Sequence, residues 1–265
     1  MESLVDRYDY IVVSVSGGKD SLVMLDGLAK ACRRKDAYHK LIVVYADLGE
    51  IEWPGTTDYL ESLAYSYGLP LVIRHRPAGD LLAAISKRGK WPSPTCRYCT
   101  ADHKRDQIAK VFTGLSALHK GGYNRARPLR VLNCMGMRAD ESPARAKLVW
   151  FEENVRASSS SRQVSNYLPV HDWTGDDIWQ YIDSRGLPAH YAYALGMPRL
   201  SCSFCIYANE NALVIAGHER PDLLDRMIQM EDDMDHTFKP GYSLRKVRDR
   251  VVSGDRPEKT EDWRM

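Results

Sequence analysis

No apolar stretch in this sequence of 265 residues approaches the roughly 20 residues that a membrane-spanning helix needs, so we expect no membrane partner. The opening residues, MESLVDRYDY, lack a basic region followed by an apolar one and do not resemble a secretory signal. Hydrophobic residues make up 44% of the chain, which allows a sizeable core and excludes extensive disorder. We therefore expect a cytoplasmic protein with one large domain and at most an appendage.

Net charge is also small, only +2, but the positive charge is unevenly distributed. Between Lys87 and Arg130 there are eleven lysines and arginines against two aspartates. Such a segment suits a polyanionic partner, although a solvated face balanced by acids elsewhere in the fold gives the same pattern. The candidate nucleic-acid-binding residues in this segment are Lys87, Arg88, Lys90, Lys104 and Arg105.

Cysteines are few, and four of the six form two Cys-x-x-Cys pairs: Cys96 with Cys99, and Cys202 with Cys205. In a reducing cytoplasm this pattern indicates a metal or cluster site and not disulfides. Two pairs together supply four thiolates, a set that suits Zn²⁺ or an iron–sulfur cluster. The alternatives are four unconnected buried thiols, or a redox dithiol in one pair.

Strand-like and helix-like segments alternate along most of the chain. The β-branched, apolar segments predict strands that are buried on both faces, and segments with helical periodicity follow them. This order predicts an α/β fold with a doubly wound, mostly parallel sheet. The predicted strands are YIVVSVS, KLIVVYADLG, PLVIRHR and LRVLNCMGMR; the predicted helices are DSLVMLDGLAKAC, TTDYLESLAYSYG and GDLLAAISKRG.

The pattern changes in two places. Residues 156–166, RASSSSRQVSN, are polar and of low complexity, which predicts a mobile loop. After about Ala208 the sequence becomes helical, and residues 221–236 carry apolar side chains at helical spacing. We therefore predict a main domain over residues 1–210 and a helical, charged C-terminal extension over residues 211–265.

The first predicted strand ends in the sequence SGGKDS, residues 16–21, where a helix begins. Glycines allow the backbone to approach a ligand, and the first amides of the helix carry partial positive charge. Lys19 adds a full charge, so the loop is suited to bind phosphate. The Walker pattern fails because Val13 stands where its first glycine is required. A simple turn is the alternative.

A second candidate phosphate-binding element, GMRADESPAR, follows the strand LRVLNCM. Arginine offers a planar fork that fits phosphate. Arg138 and Arg145 are seven residues apart, so we expect them to share one face of a helix. A surface helix with paired Glu and Arg side chains is the alternative.

Between Tyr8 and Tyr207 the sequence resembles a known family. SGGKDS after a buried strand resembles the PP-loop of the adenine-nucleotide α-hydrolase-like superfamily, whose members bind ATP and cleave it to AMP and pyrophosphate. Within this superfamily, the sequence resembles the phosphoadenosine-phosphosulfate (PAPS) reductase family. The segments that carry this second resemblance are VVYADLGEIEWPGTTDYL, CTADHKRDQI, MGMRADESPAR and LPVHDWTGDDIWQYIDSRGLPAHYAYALGMPRLSCSFC.

The resemblance implies ATP and Mg²⁺ as ligands and assigns roles to particular residues. Lys19, Asp20 and Arg138 are the implied catalytic residues. The implied nucleotide-binding residues are Ser14, Ser16, Gly17, Gly18, Lys19, Asp20, Ser21, Asp47, Gly136, Arg138, Glu141 and Arg145. The four paired cysteines resemble those of members with a [4Fe–4S] cluster, with zinc as the alternative, because other cluster-bearing reductases have adjacent cysteines where this chain has CRYC.

The resemblance also bears on the reaction. The family's reductases use a nucleophilic cysteine near the C-terminus, and this sequence has no cysteine after Cys205. The chain is most similar to the ATP pyrophosphatases of DNA phosphorothioation, which implies sulfur transfer with a cysteine desulfurase or other sulfur donor as partner and DNA as acceptor. The alternatives are a PAPS- or APS-reductase-like enzyme acting on a small sulfonucleotide, and a non-catalytic nucleotide-binding scaffold for a desulfurase.

Overall fold

Six strands form one sheet in the computed structural model, which describes residues 2–121 and 127–258. The strand order is β3-β2-β1-β4-β6-β5, and every pair is parallel except β5 with β6. This confirms the predicted α/β fold with its mostly parallel sheet. The strands are β1 (Tyr10–Val15), β2 (Leu41–Ala46), β3 (Leu71–Arg74), β4 (Leu129–Met135), β5 (Phe151–Glu153) and β6 (Arg162–Tyr167).

Helices follow most of the strands, as the alternating sequence pattern predicts. They are α1 (Glu2–Val5), α2 (Lys19–Arg34), α3 (Thr56–Ser66), α4 (Leu81–Arg88), α5 (Tyr98–Thr100), α6 (Asp106–Gly121), α7 (Pro143–Ala146), α8 (Gly175–Arg185), α9 (Glu210–Glu219), α10 (Pro221–Met234) and α11 (Arg245–Val252). Short 3₁₀ helices cover Tyr38–Lys40, Ala139–Glu141 and Tyr191–Tyr193, and a π-helical turn covers Ala101–Arg105. Arg125 of the basic segment and residues 259–265 of the predicted extension lie outside the described residues.

The described chain divides into two units, each built from separated segments. The first unit, which we call the sheet unit, contains residues up to Ala46, Thr57–Arg74 and Arg105–Ala189. The second, which we call the helical unit, contains Asp47–Thr56, His75–Lys104 and the residues from His190 onward. The observed units are discontinuous in sequence, whereas the domains predicted above are continuous.

The central strand β1 explains why both faces of the sheet are covered. Its alternate residues enter different hydrophobic clusters: Val13 packs in the cluster that includes α2, and Val12 packs in the cluster that includes Phe112 of α6. Both valines are fully buried. A parallel strand with apolar side chains on both faces requires such covering, because neither face can be left in water.

The predicted loop at residues 156–166 is wrong over its second half. Residues 162–167 form β6, which lies between β4 and β5. Its polar side chains are satisfied within the sheet, since Asn166 accepts hydrogen bonds from Asn133 and Asn154 at 3.0 and 3.1 Å. Val164 is the fully buried apolar residue of this strand. Sheet pairing on both sides therefore outweighs the polar composition that suggested a loop.

The helical unit has its own core, to which α9, α10 and α11 contribute. Met227 and Ile228 are buried there, so the methionine-bearing side of α10 serves packing. The buried Glu231 carboxylate accepts hydrogen bonds from the backbone amides of Phe238 and Leu244, which fixes the connection to α11. Within the described ranges we find no helix that combines the length and apolarity needed to cross a bilayer.

Candidate functional site

The SGGKDS loop joins the end of β1 to the start of α2. Gly17 has a φ of 77°, a conformation that side-chain-bearing residues rarely adopt, and Gly18 is the N-cap of the helix. Gly18 supplies no side chain to cap the first amides of α2. The Ser21 hydroxyl donates to the Gly18 carbonyl at 2.8 Å and accepts from the Ser16 amide at 3.3 Å. Ser21 thus braces a curled loop whose helix start is suited to receive an anion.

Lys19, in the first turn of α2, is buried at 3% exposure. Its ammonium lies 5.9 Å from the centre of the Trp179 ring. A cation over an indole face in a partly desolvated position is stabilised by the ring's quadrupole. Trp179 therefore contacts the loop lysine as well as packing against the core, a contact that the sequence pattern alone does not indicate.

Arg138 follows β4 and connects the second predicted element to the loop. Its Nε donates to the Asp20 carboxylate at 2.5 Å and its Nη1 donates to Asp140 at 2.5 Å. The guanidinium is 3% exposed, and no hydrogen bond of its Nη2 occurs in the part of the chain that the structure describes. Burial raises the pKa of Asp20, although the charges of Lys19 and Arg138 oppose that rise. The site thus combines an oriented arginine with one donor group open to a ligand.

Gly136 brings the end of β4 against the first turn of α2. An added Cβ at this position would lie 2.8 Å from both the carbonyl carbon of Asp20 and the amide nitrogen of Ser21. Both contacts are to backbone atoms, which cannot move aside independently. The close approach of two backbones explains glycine here and fixes the distance between the two predicted phosphate-binding elements.

Arg138 and Arg145 do not share a helix, so that prediction is wrong. Arg138 precedes the 3₁₀ helix Ala139–Glu141, and Arg145 lies in the separate short helix α7. Ser142 and Pro143 separate them, because Ser142 is the N-cap of α7 and Pro143 occupies its first turn. Glu141 links the two elements: its carboxylate accepts from the Arg138 backbone amide at 2.9 Å and pairs with Arg145.

Two further predicted nucleotide-binding residues, Ser14 and Asp47, make other contacts. Ser14 is within β1, and its hydroxyl contacts Asn133 Oδ1 at 3.5 Å. Asp47 directly follows β2 and belongs to the helical unit, where it accepts from the Gly49 amide at 2.8 Å and lies 3.4 Å from His75. Nucleotide-binding roles for both residues stay predictions.

Three of the four paired cysteines share one environment in the helical unit. Cys202 and Cys205 hydrogen-bond each other, and Cys99 and Lys104 lie near enough to influence them. The hydrogen bond from Cys202 lowers the pKa of Cys205 in spite of burial, and the backbone of Tyr207, Ser201 and the Lys104 charge act in the same direction. Within the Cys202–Cys205 pair, Cys205 is therefore the more acidic thiol.

Cys96, the fourth cysteine, is exposed and accepts a hydrogen bond from Arg88 at 3.6 Å. Over residues 2–121 and 127–258, no group of three or more His, Cys, Asp or Glu side chains is placed to hold a metal ion. The four cysteines as arranged therefore do not fit the preassembled zinc or cluster site that their spacing predicts.

The sequence profile of the phosphoadenosine phosphosulfate reductase domain matches residues 10–208, which is most of the chain. The chain belongs to the phosphoadenosine phosphosulfate reductase family. This confirms the resemblance seen in the sequence and places the SGGKDS loop among PP-loops.

Individual relatives of this family member are distant. An uncharacterized 37.8 kDa protein of Escherichia phage 186 is 29% identical over 157 residues, which are 59% of this chain and 44% of that protein. The adenosine 5'-phosphosulfate reductase of Geobacillus kaustophilus is 23% identical over 74% of this chain and 73% of its own length. The chain thus spans less than half of the phage protein.

Two solved structures show some similarity to this chain. A phosphoadenylyl-sulfate reductase from Candida auris, in complex with phosphate, has a TM-score of 0.49 and 19% identity, covering 73% of this chain and 81% of that one. The U34-tRNA thiolase NcsA from Methanococcus maripaludis, with its [4Fe–4S] cluster, has a TM-score of 0.47 and 14% identity, and the match covers 95% of this chain and 77% of the thiolase chain.

The predicted nucleic-acid-binding residues of this family member are not equivalent. Lys104 lies by the cysteines and Glu52, whose negative charges raise its pKa against the effect of burial. Burial in turn raises the pKa of Glu52 to about 7, although Lys104 opposes it. Lys87, Arg88, Lys90 and Arg105 are exposed. Only these last four present their charge to solvent, and their role in nucleic-acid binding stays a prediction.

One contributor to the site was missed in the sequence. Asp140 accepts from Arg138 Nη1 and from the Gly175 amide at 3.0 Å, so it ties the arginine to the start of α8. Its place two residues after Arg138 could have suggested a local ion pair. The contact with Gly175, 35 positions along the chain, could not have been read from spacing.

Proposed function

We propose that this protein is an ATP pyrophosphatase that cleaves ATP to AMP and pyrophosphate and thereby activates an acceptor for sulfur transfer. The observation that carries this proposal is the buried ion pair between Arg138 and Asp20, next to Lys19 in the PP-loop. The pair joins the two phosphate-binding elements of the sheet unit into one site. Such a constellation supplies positive charge where a departing pyrophosphate develops negative charge.

Each group has a distinct part in this reaction. The first-turn amides of α2 and the Lys19 ammonium bind the β- and γ-phosphates and stabilise the charge on pyrophosphate as it leaves. Arg138, held by Asp20 and Asp140, directs its open Nη2 donor to a phosphate oxygen. The substrate is MgATP, and its magnesium ion, which phosphate oxygens hold, neutralises part of the phosphate charge.

Sulfur transfer follows from the chemistry of adenylation. An oxygen bound to phosphorus leaves poorly, and adenylation converts it into AMP, which leaves readily. The terminal sulfur of a persulfide on a cysteine desulfurase then forms a bond to the activated phosphorus while the bond to AMP breaks, and an external thiol reductant cleaves the remaining S–S bond to the desulfurase. We propose DNA as the acceptor, since the exposed basic residues Lys87 and Arg88 suit phosphate contacts.

Product analysis tests the proposal. The purified protein is incubated with labelled ATP and Mg²⁺, with and without DNA, and the nucleotides are separated. We expect AMP and pyrophosphate, with a loss of about a hundredfold or more in Lys19→Ala, because a buried phosphate-binding charge is removed. Lys35→Ala, at the exposed C-terminal end of the same helix, is the matched control and should keep wild-type activity.

Two outcomes would contradict the pyrophosphatase proposal. ADP as the product would mean that the bond next to the γ-phosphate is cleaved. Unchanged turnover in Lys19→Ala would mean that the PP-loop does not carry the reaction. Stimulation by DNA would support DNA as the acceptor, and its absence would leave the cleavage reaction standing with another acceptor.

A second candidate is an enzyme that acts on adenosine 5'-phosphosulfate. The similarity to the Geobacillus kaustophilus reductase, over 73% of that protein, favours it. If the protein releases sulfite from adenosine 5'-phosphosulfate when a thiol reductant is present, this alternative is supported. If it turns over ATP and does not turn over adenosine 5'-phosphosulfate, this alternative is excluded.

A bound metal is a separate hypothesis, which rests on the spacing of the four cysteines and not on their arrangement. Iron, sulfide and zinc are measured in protein purified without oxygen, and Cys96→Ser is compared with wild type. Stoichiometric iron and sulfide that fall in the variant would support a cluster. Zinc alone would support the alternative, and neither metal would leave the cysteines as thiols.

A further inference from the structure

The helical unit contains a basic pocket that the proposed ATP chemistry does not use. It is lined by Arg76, Lys87, Arg88, Tyr98 and Asp102, among others, and has a volume of about 190 Å³. All these residues belong to the single segment His75–Lys104. Three cationic side chains line the pocket beside one carboxylate, so its net charge is two positive units.

Most of this positive charge is not neutralised by the part of the chain that the structure describes. Neither Arg76 nor Lys87 forms an ion pair within residues 2–121 and 127–258. Arg88 stacks on Tyr98, with the guanidinium carbon 4.5 Å from the ring centre, and donates to Cys96 Sγ. These contacts orient the Arg88 guanidinium and leave its charge in place, since neither partner is an acid.

Part of this arrangement has an ordinary explanation. Lys87 and Arg88 end helix α4, where the helix dipole favours basic residues. That explanation does not cover Arg76, which precedes the helix by a loop and is half-buried at the same pocket. The helix dipole therefore does not explain why Arg76 lies at the same pocket as Lys87 and Arg88.

His103 gives a second, independent observation. It follows Asp102 in the chain, is fully buried, and neither of its ring nitrogens has a hydrogen-bond partner among the described residues. Burial lowers the pKa of His103, and the positive charge of nearby Arg76 adds to that effect. Buried polar groups are nearly always hydrogen-bonded, so this imidazole is an unsatisfied polar group directly after Asp102, which lines the pocket.

We propose that the pocket formed by Arg76, Lys87 and Arg88 binds a phosphate group. Its volume is below the roughly 300–1,000 Å³ typical of sites for whole organic ligands, which favours an oxyanion over a nucleotide. Guanidinium groups bind phosphate oxygens in the fixed geometry of their donors. The phosphate is either part of a nucleic-acid backbone or a free phosphate ion. The first source rests on the proposed function, and the second does not.

Binding measurements on the full chain test this proposal. All proteins carry Lys19→Ala, so that phosphate binding at the PP-loop is weakened equally in each. Titration calorimetry measures the affinity for inorganic phosphate, and fluorescence anisotropy measures the affinity for a short labelled DNA duplex. The variants are Arg76→Gln and Lys87→Gln, and Arg248→Gln is the control that removes one positive charge from the same unit.

We expect the phosphate affinity to fall about tenfold or more in Arg76→Gln and Lys87→Gln and to be unchanged in Arg248→Gln. A parallel fall in DNA affinity would identify a nucleic-acid backbone as the source. Unchanged DNA affinity would identify a free phosphate ion. Equal phosphate affinity in all variants, or no phosphate binding by the parent protein, would overturn the proposal.

The folding of the variants and the ATP reaction are checked separately. Among the described residues Arg76 and Lys87 have no ion-pair partner that unfolding would separate, so their glutamine variants should melt at the temperature of the parent. Pyrophosphate release is measured in Arg76→Gln with Lys19 intact. If no protein releases pyrophosphate, the proposed function fails while the phosphate result still stands by itself.

Discussion

Replacing Gly136 by alanine would place a methyl group where two backbones meet. The new Cβ would lie 2.8 Å from the Asp20 carbonyl carbon and from the Ser21 amide nitrogen, and both atoms belong to the PP-loop and the first turn of α2. Because neither atom can rotate away, β4 and the loop must separate. Overpacking of this kind costs about 1–3 kcal/mol. For a chain of this size, that corresponds to a fall in melting temperature of roughly 2–12 °C.

Thermal melting and ATP binding by calorimetry measure both parts of this effect. We expect Gly136→Ala to melt earlier and to bind ATP about tenfold more weakly, since each 1.4 kcal/mol is a factor of ten. Gly114→Ala is the matched control: an added Cβ there meets no atom within 4 Å, and alanine in helix α6 should stabilise by about 0.5–1 kcal/mol. A Gly136→Ala protein with wild-type melting and ATP affinity would refute the argument that this glycine sets the spacing of the site.

Three further predictions concern buried charge. Arg138→Ala should destabilise the fold by about 3–5 kcal/mol because Asp20 loses its partner. Adding Asp20→Asn should restore the melting temperature without restoring ATP cleavage. Equal melting temperatures of the single and double variants would contradict this. Since the hydrogen bond from Cys202 lowers the pKa of Cys205, iodoacetamide should label Cys205 faster at neutral pH than buried Cys134, whose pKa is raised; equal labelling of the two in peptide maps would contradict this. Burial raises the pKa of Glu52 from 4.5 to about 7. The stability that the protonated Glu52 side chain contributes is therefore complete below pH 4.5 and is lost as the pH rises to 7. Glu52→Gln should flatten this part of the curve of unfolding free energy against pH.

Local sequence predicted the main elements of the sheet unit well. The β-branched segments before Ser16 and Asp47 form β1 and β2, since a strand covered on both faces needs apolar residues at nearly every position. The Gly-Gly-Lys loop lies where strand becomes helix because glycine permits the required turn. Strand β6 was missed because its half-buried Asn166 side chain is satisfied by Asn133 and Asn154, and spacing within the segment does not show that.

The candidate site was predicted in its residues and not in its contacts. Lys19, Asp20 and Arg138 could be named from their motifs. The ion pair between Asp20 and Arg138 links positions 118 apart, and the placement of Lys19 over Trp179 depends on how α8 packs on α2. The spacing of the cysteines suggested four equivalent ligands, yet Cys96 contacts Arg88 and is exposed while the other three lie with Lys104.

The division into two interleaved units has a consequence for synthesis on the ribosome. The sheet unit has all of its segments once the chain has been made to Ala189. The helical unit needs residues from His190 onward to cover Asp47–Thr56 and His75–Lys104, which are made much earlier. Those two early segments therefore lack their later core partners while residues 105–189 are translated, and apolar side chains such as Trp53 and Leu81 stay uncovered by those partners during that interval.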